Sequence, residues 1–212
     1  THNNAPCAVF SLEMPQKQLF KRMTQTLAGV NIKQISDGVI SEENMNKVDK
    51  AIDQLHSVPL YTSHNVKSAE DLASQLRKLV DKQGVKLAVI DYLQLIPFNS
   101  GKVSKAEGIA NISHKIKQLA LELNIGILLL AQVNREGAKR EGGLDIYDLK
   151  DSGDIENDAD VVLLMYPQQG NFEDSKMTDS NGPYTNLEYK IAKNREGERG
   201  TIGYFKFYHI TG

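Results

Sequence analysis

The chain has 212 residues, 40% hydrophobic and 25% charged, ordinary proportions for a single soluble domain that buries a core. Lys+Arg 25 against Asp+Glu 27 leaves a formal charge of -2, so any contact with nucleic acid has to come from local basic loops rather than an overall basic excess. The single cysteine, Cys7, excludes an internal disulfide and fits a reducing cytoplasm; no run approaches the roughly 18 apolar residues of a membrane span, no signal-peptide pattern opens the chain, and the histidines lack metal-type spacing.

Apolar, β-branched runs alternate with helical patterns, which predicts parallel strands joined by crossover helices. Residues 7–12 read as a buried strand. Pro15 suits a first helical turn, with Leu19, Met23 and Leu27 at helical spacing behind it and Gly29 to end the helix. Ser41 precedes a second helix running to about His56, and residues 58–62 form a short strand candidate. Ser68 and Asp71 make a capping box that opens a helix stopped by Gly84. Lys86-Leu-Ala-Val-Ile-Asp91 is an apolar strand closed by a carboxylate. Ile109, Ile112, Ile116, Leu119 and Leu123 line one face of a helix of about five turns, and residues 125–131 follow as another buried strand.

From Gln132 to Gly143 the chain turns polar, with Arg135, Lys139 and Arg140 close together in an exposed loop. Residues 161–166 return to strand, and 167–183 form a long polar segment. Two β-rich runs, 184–193 and 201–208, are then joined by Asn194-Arg-Glu-Gly-Glu-Arg-Gly200 into a hairpin with a charged tip.

Open parallel sheets take ligands at the C-terminal ends of their strands. Asp91 stands there, placed to hold Mg²⁺ in the manner of a Walker-B aspartate, or else to serve as an ordinary loop or helix-cap residue. Glu13, in Phe10-Ser-Leu-Glu-Met14, has the same topological position; it suits a general base toward an attacking water, or a first-turn acid favoured by the helix dipole. Gln132 is a third polar side chain at that edge, with an amide able to hydrogen-bond a γ-phosphate. Lys193 and Arg195 sit at the hairpin, which presents either a transition-state clamp or a solvated basic turn. The run Asp151-Ser-Gly-Asp-Ile-Glu-Asn-Asp-Ala-Asp160 invites a calcium reading, but with Asp154 as the first ligand Ala159 occupies the glycine position and Met165 the bidentate glutamate position, so calcium is rejected.

Together, Ser11-Leu-Glu-Met14, Val89-Ile-Asp-Tyr-Leu-Gln-Leu95, Ala131-Gln-Val-Asn-Arg135, Leu149-Lys-Asp-Ser-Gly-Asp-Ile-Glu-Asn-Asp-Ala-Asp160 and Ile191-Ala-Lys-Asn-Arg-Glu-Gly197 resemble, in order, the motifs of DnaB-type replicative DNA helicases. The resemblance implies an α/β, RecA-like fold: a mostly parallel twisted sheet flanked by helices, with a C-terminal β-hairpin, residues 1–212 forming one motor domain. It implies a homo-hexameric ring that uses ATP and Mg²⁺ to move along single-stranded DNA, with primase and a helicase loader as partners. Carried over by motif, Glu13 is the catalytic base, Asp91 the metal residue and Gln132 the γ-phosphate sensor. Lys193 and Arg195 are the pair a neighbouring subunit inserts into the site, with Arg195 as the finger. Lys150, Asp151 and Gly153 become DNA contacts, although the family usually shows arginine and glutamate at the first two.

No G-x-x-x-x-G-K-[ST] occurs. The first strand and Walker-A loop are therefore expected upstream of Thr1, their absence is expected to leave a sheet edge unpaired, and the 212-residue chain by itself is expected to be inactive. Two other functions are open to such a chain: another RecA-like ATPase of recombinase type, and a non-hydrolysing regulatory module derived from a helicase domain.

Overall fold

The computed structural model describes residues 5–98, 101, 103–134, 144–149, 153–168, 176–179, 182–200 and 202–209. Four apolar runs, β1 (Cys7–Ser11), β2 (Leu60–Ser63), β3 (Leu87–Asp91) and β4 (Gly126–Leu129), form a parallel sheet in the order β2-β1-β3-β4. Between them run α1 (Gln16–Ala28), the short α2 (Lys33–Ser36), α3 (Glu42–Ser57), α4 (Ala69–Gln83) and α5 (Lys105–Leu123). Parallel strands require such crossovers, since a tight turn can only reverse the chain.

The helix boundaries follow from local chemistry. Ser41, Ser68 and Ser104 each accept a backbone N–H from three residues ahead, at 3.2 Å, and so satisfy donors that an uncapped helix leaves bare. Gly29 and Gly84 close α1 and α4 in the left-handed conformation, at φ 63 and 65. The capping box expected at Ser68 is half formed, because the Asp71 carboxylate reaches one residue further back and accepts from the Lys67 N–H at 2.8 Å.

The core lies where α4 and α5 cover β1 and β3. Phe10, Leu76, Val85, Ala88, Ile90 and Leu93 are fully buried, and Ile109, Ile112, Ile116 and Leu119 supply the expected apolar face of α5. Strand β4 differs from its expectation as a buried strand. It ends the sheet, no strand pairs with its outer edge among the described residues, and Leu128 is 57% exposed.

A second sheet is antiparallel. Its axis is β7 (Gly182–Asn194), a 13-residue strand with β8 (Ile202–Tyr208) along one edge. Along the other edge β5 (Val161–Pro167) pairs with its C-terminal half and β6 (Lys176–Asp179) with its N-terminal end. The hairpin of β7 and β8 is as expected; β6 is not, since Lys176-Met-Thr-Asp179 has too little apolar character to stand out from the polar segment around it. Val162 and Leu164 pack with Leu144 into a smaller core that holds this sheet on one face. Between the sheets, α6 (Gly153–Asp158) turns part of the acidic run into a short helix. Among the described residues no helix is long and apolar enough to cross a membrane.

Leu76 faces the centre of the main core with no exposed surface. Leu76→Ala is expected to destabilise the fold by about 2–5 kcal/mol through lost burial and a cavity, measured as a drop in the urea midpoint at unchanged slope.

Candidate functional site

The pairing of β1 with β3 matches Cys7 to Leu87 and ends on Ser11 opposite Asp91. One further bond, from the Leu12 N–H to the Asp91 carbonyl at 2.8 Å, carries the contact past the strand ends. The segment bearing Glu13 is thereby tied to the residue that closes β3. Glu13 is exposed and Asp91 half-buried, so both carboxylates lie within reach of solvent and ligand.

Strand β4 joins the same edge through a side chain the sequence reading did not single out. Gln94, in the 3-10 turn Leu93–Leu95 that follows Asp91, accepts the Gln132 N–H through Oε1 at 3.1 Å. It also donates from Nε2 to the Gln132 carbonyl at 3.3 Å. Using both ends of one amide fixes the backbone of Gln132 and leaves the exposed Gln132 side chain free of that duty. The signal was present, in that Gln94 follows Asp91 by three residues in a turn-forming stretch, but its partner is 38 residues away.

Opposite Asp91 in that register, the Ser11 side chain is 2% exposed, and its hydroxyl has no hydrogen-bond partner among the described residues. A buried hydroxyl left unpaired costs about 1–3 kcal/mol. No three acidic, histidine or cysteine side chains converge as a metal cage among the described residues. The half-buried strand-end carboxylate of Asp91 fits Mg²⁺, which takes oxygen ligands and is usually held by one or two carboxylates, waters and substrate phosphates.

The hairpin residues are anchored elsewhere in the fold. Lys193 Nζ donates to the carbonyls of Glu156 at 2.5 Å and Asn157 at 3.3 Å, so its ammonium closes the C-terminal end of α6. Arg195 donates through Nη1 to Asp160 Oδ1 at 2.8 Å, while its backbone N–H donates to the Asp160 carbonyl at 2.9 Å. Lys117, on α5, reaches Asp160 Oδ2 at 2.5 Å. The Lys117 ammonium, with Arg195 and Lys193 nearby, holds the Asp160 carboxyl below its ordinary range. Neither Lys193 nor Arg195 forms a hydrogen bond or ion pair with Glu13, Asp91 or Gln132 among the described residues. Gly153 opens α6, whereas Lys150, Asp151 and the basic residues Arg135, Lys139 and Arg140 lie outside the described residues.

Residues 1–210 match the family described as DnaB-like helicase C terminal domain. The chain is 32% identical over 226 residues to the replicative DNA helicase DnaB of Helicobacter pylori, covering 92% of this chain and 46% of that protein. Against its counterpart from Geobacillus stearothermophilus the identity is 31% over 205 residues, covering 95% and 44%. The chain thus spans less than half the length of these relatives. A solved structure described as a DnaB-like replicative helicase and its interactions with primase superposes with a TM-score of 0.83 at 26% identity, over 99% of this chain and 49% of that one. A second solved structure, described as an ATPase domain, gives 0.82 at 26% identity, over 97% and 71%.

If Gln94 is what holds the end of β4, Gln94→Leu should raise hydrogen exchange at the Gln132 amide by about tenfold, the equivalent of roughly 1.4 kcal/mol. Exchange at Leu128 and Leu129, inside the ladder, should change far less.

Proposed function

The chain belongs to the family of DnaB-like helicase C-terminal domains, and from that premise we propose that it is the motor of a replicative DNA helicase, hydrolysing ATP to move along and unwind DNA. The observation that supports this most is the shared edge: the β1–β3 register and the Gln94 clasp bring the segments of Glu13, Asp91 and Gln132 to one end of one sheet. Family membership favours this reading over a recombinase. The retained carboxylates favour it over a module without hydrolysis.

In this mechanism Asp91 would hold the magnesium that accompanies the nucleotide, which would supply charge neutralisation to its phosphates. Glu13 takes a proton from the water that attacks the γ-phosphorus; the bond from that phosphorus to the bridging oxygen breaks, and ADP and phosphate are released. The Gln132 amide donates to the γ-phosphate, holding it for attack.

Arg195 serves the nucleotide of a neighbouring subunit. Its contact with Asp160 uses one nitrogen, and the remaining donors of the guanidinium are available to phosphate oxygens. Lys193 is less free, because reaching a nucleotide draws its ammonium away from two carbonyls of α6. Lys150, Asp151 and Gly153 are the proposed contacts to single-stranded DNA, on the segment leading into α6. A homo-hexameric ring, primase, a loader and a cytoplasmic setting complete the reading; primase is supported by the similar DnaB-like helicase whose structure is described with its primase interactions.

In the complete protein, Glu13→Gln should keep nucleotide affinity within several fold while lowering turnover by roughly 10²-fold or more, and Asp91→Asn should weaken magnesium-dependent nucleotide binding. Unchanged turnover in Glu13→Gln would reduce Glu13 to a helix-start residue.

Sharing of the site between subunits is testable by mixing Glu13→Gln and Arg195→Ala proteins, each nearly inactive since an arginine finger contributes about 10³ or more in rate. Mixed rings contain interfaces with Glu13 intact on one side and Arg195 on the other, and activity above both parents is expected. With subunit exchange demonstrated separately, no recovery would refute action across the interface.

A further inference from the structure

Arg195 is the first residue beyond the end of a ladder. The pairing of β5 with β7 matches Val162 to Lys193 and Val161 to Asn194, and the bond from the Arg195 N–H to the Asp160 carbonyl adds one more step at the base of the hairpin tip. Side chains facing each other across a strand pair meet within a few ångströms. The Arg195 guanidinium and the Asp160 carboxylate are such a couple, and they do meet, at 2.8 Å.

The second carboxylate oxygen of Asp160 is occupied by Lys117 at 2.5 Å. Lys117 stands on α5, whose Ile109, Ile112, Ile116 and Leu119 are buried in the main core, and its own side chain is only 21% exposed. Asp160 therefore has one oxygen on a rigid helix and the other on the arginine. Lys193 does not compete for it, its ammonium being engaged by α6. Arg195 Nη2 and Nε carry no protein partner among the described residues, so the guanidinium is gripped at one nitrogen and open at the others.

We propose that Asp160 is the positioning residue of the arginine hairpin: braced on α5 by Lys117, it orients the Arg195 guanidinium for a phosphate ligand on a neighbouring subunit. This rests on the reading of Arg195 as an arginine finger. As a stability element the contact is minor, since both partners are more than half exposed and exposed ion pairs contribute little. As an orienting element it matters more. A reacting group misplaced by about 1 Å costs on the order of 10²-fold in rate, and an arginine on a loose tip samples many such displacements. The depressed protonation of Asp160 keeps the grip charged across neutral pH.

The test uses the complete ring protein. Asp160→Ala should lower kcat for ATP by about 10- to 100-fold with KM changed less than about threefold, because orientation in the transition state is lost while nucleotide binding is not. Asp160→Asn, which keeps an acceptor for Arg195, should retain turnover within about fivefold. Combined with Arg195→Ala, Asp160→Ala should cause no further loss, since it acts through a group already removed.

Wild-type kcat in Asp160→Ala, a gain in kcat, or losses that multiply in the double variant would each overturn the proposal. Near-normal turnover in Arg195→Ala alone would instead remove the arginine finger itself, and the proposal with it. Should Asp160→Ala fail to assemble, Lys117→Met carries the test: removing the brace should lower kcat several fold with KM unchanged, and an unchanged kcat would overturn the role of α5.

Discussion

Everything at the candidate site depends on four strands running the same way. A parallel sheet releases each strand at one edge, so the residues that follow β1, β3 and β4 collect there whatever their distance in sequence. The register decides the rest. With Ser11 opposite Asp91, the Glu13 segment leaves β1 level with the end of β3. A slip of one residue would turn Phe10 and Ile90, both fully buried, out of the core, so the core that stabilises the sheet also fixes the geometry of the edge.

That edge is finished by polar groups at some cost to stability. The Ser11 hydroxyl stays buried without a partner among the described residues, and the Gln94 amide spends both its donor and its acceptor on the Gln132 backbone. The two features differ in kind: Gln94 is satisfied and leaves the exposed Gln132 side chain free at the edge, whereas Ser11 keeps a polar group unmet beneath it. Local strain or unmet hydrogen bonding of this kind is found where a ligand is to be bound.

The antiparallel sheet works by a different principle. It has a single long axis, β7, and its lower end is joined to the main body through side chains: Lys193 to α6, Arg195 to Asp160, and Asp160 to Lys117 on α5. His114 on α5 adds a contact to Asp158, at 3.2 Å. The hairpin base and α6 are thus joined to each other through Lys193, and each is joined to α5, through Lys117 and His114 respectively.

What the sequence determined by itself was local. Serine caps, closing glycines and the three-four spacing of isoleucines on α5 each act within about one or two helical turns, and α1, α3, α4 and α5 appear where those signals place them. The strand-end positions of Asp91 and Glu13 were legible for the same reason, because an apolar run that stops at a carboxylate marks its own end. Tertiary structure alone decided the contacts whose partners are far apart along the chain. Strand β4 became a half-exposed edge because a short apolar run carries no record of what lies beside it. The polar strand β6 exists because β7 extends far enough to pair with it. Gln94 with Gln132 spans 38 residues, Asp160 with Arg195 spans 35, and Lys117 with Asp160 spans 43. Each is made by polar side chains, on one another or on a distant backbone, which have no periodicity to read, and each forms only after burial of the apolar faces has set the distance between the elements that carry it.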